Sequence, residues 1–182
     1  MSATAQGPWQ CRHSGPGTYD ESARRVDHPE YAVAQLLVRE GHHVRSLPER
    51  AGAGKTPDFV ACGVMVEVKS FQSLSERHGR APTAEGVANK LVVASEQGAV
   101  GVIFAGASGL SVAGSRAGYM MYCQHAVDHG LGRLKSVRVV GQGFDLSFDP
   151  VADVRAAWQA RAGRGQPHPT RRPEQRPRGL RP

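Results

Sequence analysis

Residues 56–69 read Thr56-Pro57-Asp58-Phe59-Val60-Ala61-Cys62-Gly63-Val64-Met65-Val66-Glu67-Val68-Lys69, and the rest of the chain arranges itself around this segment. Two apolar, β-branched runs, Pro57 to Ala61 and Val64 to Phe71, flank Cys62-Gly63, a connection short enough for a hairpin. Successive side chains of a strand point to opposite faces, so Val64, Val66 and Val68 share one face while Glu67 and Lys69 share the other. Pro57 restrains the backbone just before Asp58, and the short turn brings that acid to Glu67 across the strand pair. Two carboxylates and an ammonium are therefore expected to converge.

Upstream, Asp27-His28-Pro29-Glu30 reads as a helix start, with Asp27 as cap, Pro29 in the first turn and an apolar stripe of Val33, Leu36 and Leu37 ending at Gly41. His43 to Leu47 and the turn-rich Ala51-Gly52-Ala53-Gly54 then lead into the hairpin, giving three antiparallel strands. Downstream of a polar loop from Gln72 to Ala81, Pro82-Thr83 introduces a second helix. Glu85 lies in its first turn, Val87, Leu91 and Ala94 form one face, and Gly98 closes it. Val100 to Ala105 is a continuous apolar run, as in a strand covered on both faces, and the helix before it makes a crossover.

Gly114 to Gly130 is predicted as a third helix, weakened by Gly118. Val137 to Val140 with Phe144 to Phe148 form a terminal hairpin across Gly141-Gln142-Gly143, and Asp153 to Ala162 a short closing helix. The predicted class is α/β, a mixed central sheet flanked by helices in the order helix-strand-strand-strand-helix-strand.

The 182 residues, 40% hydrophobic, suffice for one domain with its own core. Residues 1–26 read as an irregular leader, 27–162 as the domain and 163–182 as a disordered tail rich in Pro and Arg. The net charge of +7 is unevenly spread: residues 161–182 hold seven Arg against Glu174, while the remainder is nearly neutral. Such a tail adds salt-sensitive, sequence-blind attraction to phosphates, or is simply a solvated end. No apolar run approaches the roughly 18 to 20 residues that span a bilayer, so no membrane partner is expected. Cys11, Cys62 and Cys123 are far apart and show no Cys-x-x-Cys pairing, which fits a reducing cytoplasm, with Cys62 and Cys123 read as buried or half-buried thiols.

The residue types in the hairpin suit phosphodiester hydrolysis. That reaction requires water in line with the phosphate, neutralisation of growing charge and a stabilised leaving oxygen. Asp58 and Glu67 can hold a hard divalent cation, with Mg²⁺ expected first and Mn²⁺ or Zn²⁺ as alternatives. Lys69 would contact the phosphate or orient the attacking water.

Pro57-Asp58 followed by Glu67-Val68-Lys69 resembles the Pro-Asp…Glu-x-Lys signature of the PD-(D/E)xK nuclease superfamily, and the order of elements is similar too. The resemblance implies a restriction-endonuclease-like core in which the helix before the strands supplies another acid, here Glu30. From Glu30 through Phe71 to Ser95-Glu96-Gln97, the chain is similar to the C-terminal tRNA-nuclease domains of contact-dependent growth-inhibition toxins. That likeness implies a metal-dependent RNase acting on tRNA and a cognate immunity protein, with DNA as the alternative substrate. It also implies that Ser70, Lys90 and Gln97 line the pocket.

Ordinary readings stand beside these. A lone Glu-x-Lys is a solvated strand face, and Glu30, three residues after Asp27, suits a capping box. Ala53-Gly54-Lys55-Thr56 is not a phosphate-binding loop, since residue 49 is Glu where a Gly is needed; Lys55 instead becomes a candidate phosphate contact. His125 and His129 lie four apart on one helix without a third ligand, which favours a packing role.

Overall fold

The computed structural model describes residues 15–49, 56–71, 82–107, 109–130 and 134–163. The hairpin forms as its pattern dictates: β3 (Phe59–Ala61) pairs antiparallel with β4 (Val64–Lys69), Phe59 opposite Val66 and Ala61 opposite Val64. Cys62 and Gly63 have φ of 50° and 82°. Positive φ at both central residues lets a two-residue turn follow the twist of its strands.

Around this pair lie β1 (Thr18–Asp20), α1 (His28–Arg39), β2 (His43–Ser46), α2 (Ala84–Glu96), β5 (Gly101–Ala107), α3 (Val112–His129), β6 (Ser136–Gly141), β7 (Phe144–Phe148) and α4 (Pro150–Ala162). The described residues form an α/β fold with a seven-stranded mixed sheet ordered β1-β2-β3-β4-β5-β6-β7. Strands β2 to β4 run antiparallel, β4 to β6 parallel, and β6 and β7 form the last hairpin. From α1 to β5 the elements follow the expected sequence of one helix, three strands, one helix and one strand.

Each face of the sheet has its own core. Val33, Ala34 and Leu37 of α1 pack on Val44, Phe59, Val66, Val68 and Ile103. Val87, Leu91 and Ala94 of α2 join Tyr119, Tyr122 and Cys123 of α3 over Val102, Phe104, Val137 and Val139. Alternate residues of β5 thus enter opposite cores, which explains its unbroken apolar run. Each fully buried Leu or Phe contributes about 1.5–3 kcal/mol.

Several boundaries differ from expectation. The 1–26 segment is not irregular throughout, because Thr18–Asp20 pairs in parallel with β2. A three-residue strand has too short a period to be seen alone and gains its place from the neighbouring edge. Helix α3 begins at Val112 behind a Ser111 cap and runs through Gly118, which sits where α3 crosses α2. Helix α4 begins at Pro150, three residues before the expected Asp153, because Asp149 caps it. Cys62 is disulfide-bonded, its partner outside the described residues, which corrects the thiol reading there; Cys123 is a buried free thiol whose pKa burial pushes up.

The loop from Gln72 to Ala81, the turn at Ala51 to Gly54 and the tail beyond Gly163 lie outside the described residues. No helix among the described residues is long and apolar enough to cross a membrane.

One polar clasp joins distant parts. Arg138 of β6 donates to both oxygens of Glu40, just beyond α1, at 2.6 Å and to Asp145 of β7 at 2.9 Å. Its hydrogen bonds to Asp145 and Glu40 hold the guanidinium charged and raise its pKa well above the ordinary range.

Candidate active site

Strand alternation places Glu67 and Lys69 side by side. Lys69 Nζ donates to Glu67 Oε1 and, at 3.0 Å, to Gln97 Oε1. Gln97 is the C-cap of α2, so the end of that helix helps fix the ammonium. Glu67 is only 5% exposed, and its Oε2 is buried without a hydrogen-bond partner among the described residues. A buried carboxylate oxygen left bare carries a desolvation cost that a donor or cation would relieve.

Asp58 stands just before β3, next to the Phe59–Val66 pair, as the short turn predicts. Its Oδ2 accepts from the Val68 backbone N–H at 2.7 Å and its Oδ1 from Arg24 Nη2 at 3.1 Å. The same guanidinium donates through Nη1 to Glu30 Oε1 at 3.2 Å, and Nη1 lies 3.8 Å from Glu49. Glu30 also completes a capping box, its Oε2 accepting from the Asp27 N–H at 3.0 Å while Asp27 Oδ1 accepts from the Glu30 N–H. Glu30 therefore serves the helix end while sharing the Arg24 guanidinium with Asp58.

Burial, then the charge of Glu67, push the Asp58 carboxyl up from 3.8 to about 8; Glu30 adds to the rise and the Val68 N–H opposes it. One guanidinium shared among Glu30, Asp58 and Glu49 does not offset these effects. Because folding raises this pKa, the protonated acid stabilises the native state. That contribution is complete below about pH 4 and is lost as pH climbs through about 8. Without divalent ions, the urea midpoint of the wild type should fall between pH 5 and 9. Asp58→Asn should flatten the profile and raise stability at pH 8 by on the order of 2 kcal/mol.

Asp58, Glu67, Lys69 and Glu30 are thus brought into one cluster, with Gln97 touching Lys69. Lys90 Nζ lies 5.1 Å over the ring of Phe71. Ser70 directly follows β4 and is half-buried. Lys55 lies outside the described residues. His125 and His129 lie 4.3 Å apart between ring centroids, their planes tilted by 40°. The residue missed by sequence reasoning is Arg24. Its stretch has no periodicity, and its anchoring depends on a backbone N–H bond to Ser46 Oγ at 3.2 Å on a strand 22 residues away.

A cavity of about 390 Å³ lies elsewhere, between α3, α4 and the approach to β6, walled by Tyr122, Leu134, Val151, Val154 and Trp158. Among its described lining residues only Arg155 is charged, so it lacks the paired carboxylates of the acidic cluster. Among the described residues no three His, Cys, Asp or Glu side chains group so that they could hold a metal ion. The Asp58–Glu67 pair nonetheless suits a hard cation in donor type, in its bare oxygen and in the mutual repulsion that raises Asp58. No known family model, curated protein or solved structure matches this chain.

Proposed function

We propose that this chain is a metal-dependent endonuclease with a restriction-endonuclease-like core, hydrolysing phosphodiester bonds in nucleic acid. The observation that carries the reading is the convergence of Asp58, Glu67 and Lys69 from adjacent strands, with one Glu67 oxygen buried and bare. Asp58 and Glu67 would hold Mg²⁺, which supplies Lewis acidity toward a phosphoryl oxygen and its bound water. An ammonium has three donors, and Glu67 and Gln97 take two of those of Lys69. The third has no acceptor among the described residues and would hold the scissile phosphate or the attacking water, while Gln97 sets its direction. In the metal-free protein Glu30 and Asp58 are linked through the shared guanidinium of Arg24.

Resemblance favours tRNA as substrate and an immunity protein as partner; DNA is the alternative substrate for the same residues. Purified full-length chain incubated with tRNA, total RNA or plasmid DNA tests the reading. Cleavage should appear with Mg²⁺ or Mn²⁺ and vanish with EDTA. Cleavage of plasmid alone would transfer the assignment to a DNA enzyme of restriction, repair or mobile-element type. Absence of any metal-dependent cleavage would leave a nucleic-acid-binding module without catalysis.

A further inference from the structure

Arg24 comes from the segment between β1 and α1, yet it reaches the centre of the acidic cluster. Its side chain is 17% exposed, and its backbone is pinned to the fully buried Ser46. Among the described residues, three of the four oxygens of Asp58 and Glu67 are already engaged. Glu67 Oε1 receives Lys69, Asp58 Oδ2 receives the Val68 N–H and Asp58 Oδ1 receives Arg24. The Val68 donor belongs to a sheet strand and cannot turn away, and Lys69 is held from two sides. Arg24 Nη2 is the engaged donor carried on a long, flexible side chain, one that can swing off Asp58 by giving up or re-forming the Nη1 contact with Glu30.

We propose that Arg24 is a resident counter-cation which closes the Asp58–Glu67 pair in the metal-free protein, so that a divalent ion enters by displacing its guanidinium from Asp58 Oδ1. The proposal rests on the nuclease reading above and deepens it. Two cations cannot share one carboxylate oxygen without strong repulsion in a partly buried site, so ion binding and the Arg24–Asp58 bridge exclude each other. Arg24 is accordingly a positioning residue that tunes cation affinity.

Calorimetric titration of the full chain with Mn²⁺ tests this directly. Arg24→Met, which keeps the apolar stem and removes the charge, should bind Mn²⁺ about tenfold more tightly than wild type, the equivalent of roughly 1.4 kcal/mol. Equal or weaker binding would overturn the proposal. A second measurement needs no substitution: ¹⁵N NMR of arginine side chains in the wild type should show the Arg24 guanidinium restrained without metal and released at saturating Mg²⁺. A guanidinium unchanged while the Val68 amide reports saturation would overturn the gate and leave the nuclease reading standing. A wild type that binds neither ion defeats both.

Discussion

Replacing Lys69 by alanine is expected to lower metal-dependent cleavage about 10³-fold or more while leaving Mg²⁺ affinity within a few-fold of wild type. A positioned proton donor or acceptor contributes about 10²–10⁴-fold, and an electrostatic contact to developing charge about 10²–10³-fold. Lys69 stands where both effects would act. Asp58→Ala should behave differently, losing cleavage and metal affinity together, because that carboxylate would ligate the ion directly. Lys69→Ala also strips Glu67 Oε1 of its donor. Losing a charged partner at a 5%-exposed carboxylate costs about 1–3 kcal/mol, so circular dichroism and denaturant midpoints must accompany the assay. A folded Lys69→Ala protein cleaving at the wild-type rate would defeat the catalytic assignment.

The second large effect is structural. A Cβ on Gly118 would lie 2.4 Å from the Ala84 carbonyl oxygen and 2.6 Å from Val87 Cβ, so Gly118→Ala forces α3 away from α2. Overpacking of this kind costs about 1–3 kcal/mol, and a clash with backbone belongs at the upper end. The intrinsic helix preference of alanine returns about 1 kcal/mol. A net loss of about 2 kcal/mol is expected, visible as a melting temperature lower by roughly 4–8 °C. Gly163→Ala serves as control, since its added methyl meets nothing nearer than the Gln159 carbonyl at 3.5 Å; it should stay within about 0.5 kcal/mol. A Gly118→Ala protein as stable as wild type would mean that the two helices do not cross so closely. Because Gln97 ends α2, displacement of that helix should also weaken its hold on Lys69.

The legible parts of the sequence were those written in local chemistry. The hairpin could be read because alternation and a two-residue turn fix its register, and that register alone places Asp58 beside Glu67. The starts of α1 and α2 were legible in Asp27 and Thr83, whose side chains accept from the expected backbone N–H groups. Gln97 followed from resemblance, and its contact with Lys69 depends on how α2 is laid over β4. What stayed hidden is what only the assembled fold creates. Strand β1 exists by pairing with β2, Gly118 has its reason in another helix, and Arg24 acquires partners 6 and 34 residues distant.

The Arg138 clasp has a bearing on how the molecule comes apart. Glu40 and Arg138 are 98 residues apart, so their bond closes a loop that contains the hairpin, α2 and α3. An isolated ion pair adds little by itself, but this one is redundant with the sheet, and the entropy of closing so long a loop has already been met by strand pairing. Early and late parts of the polypeptide are thereby joined, and opening the last hairpin away from the end of the first helix breaks this clasp as well as the strand pairing.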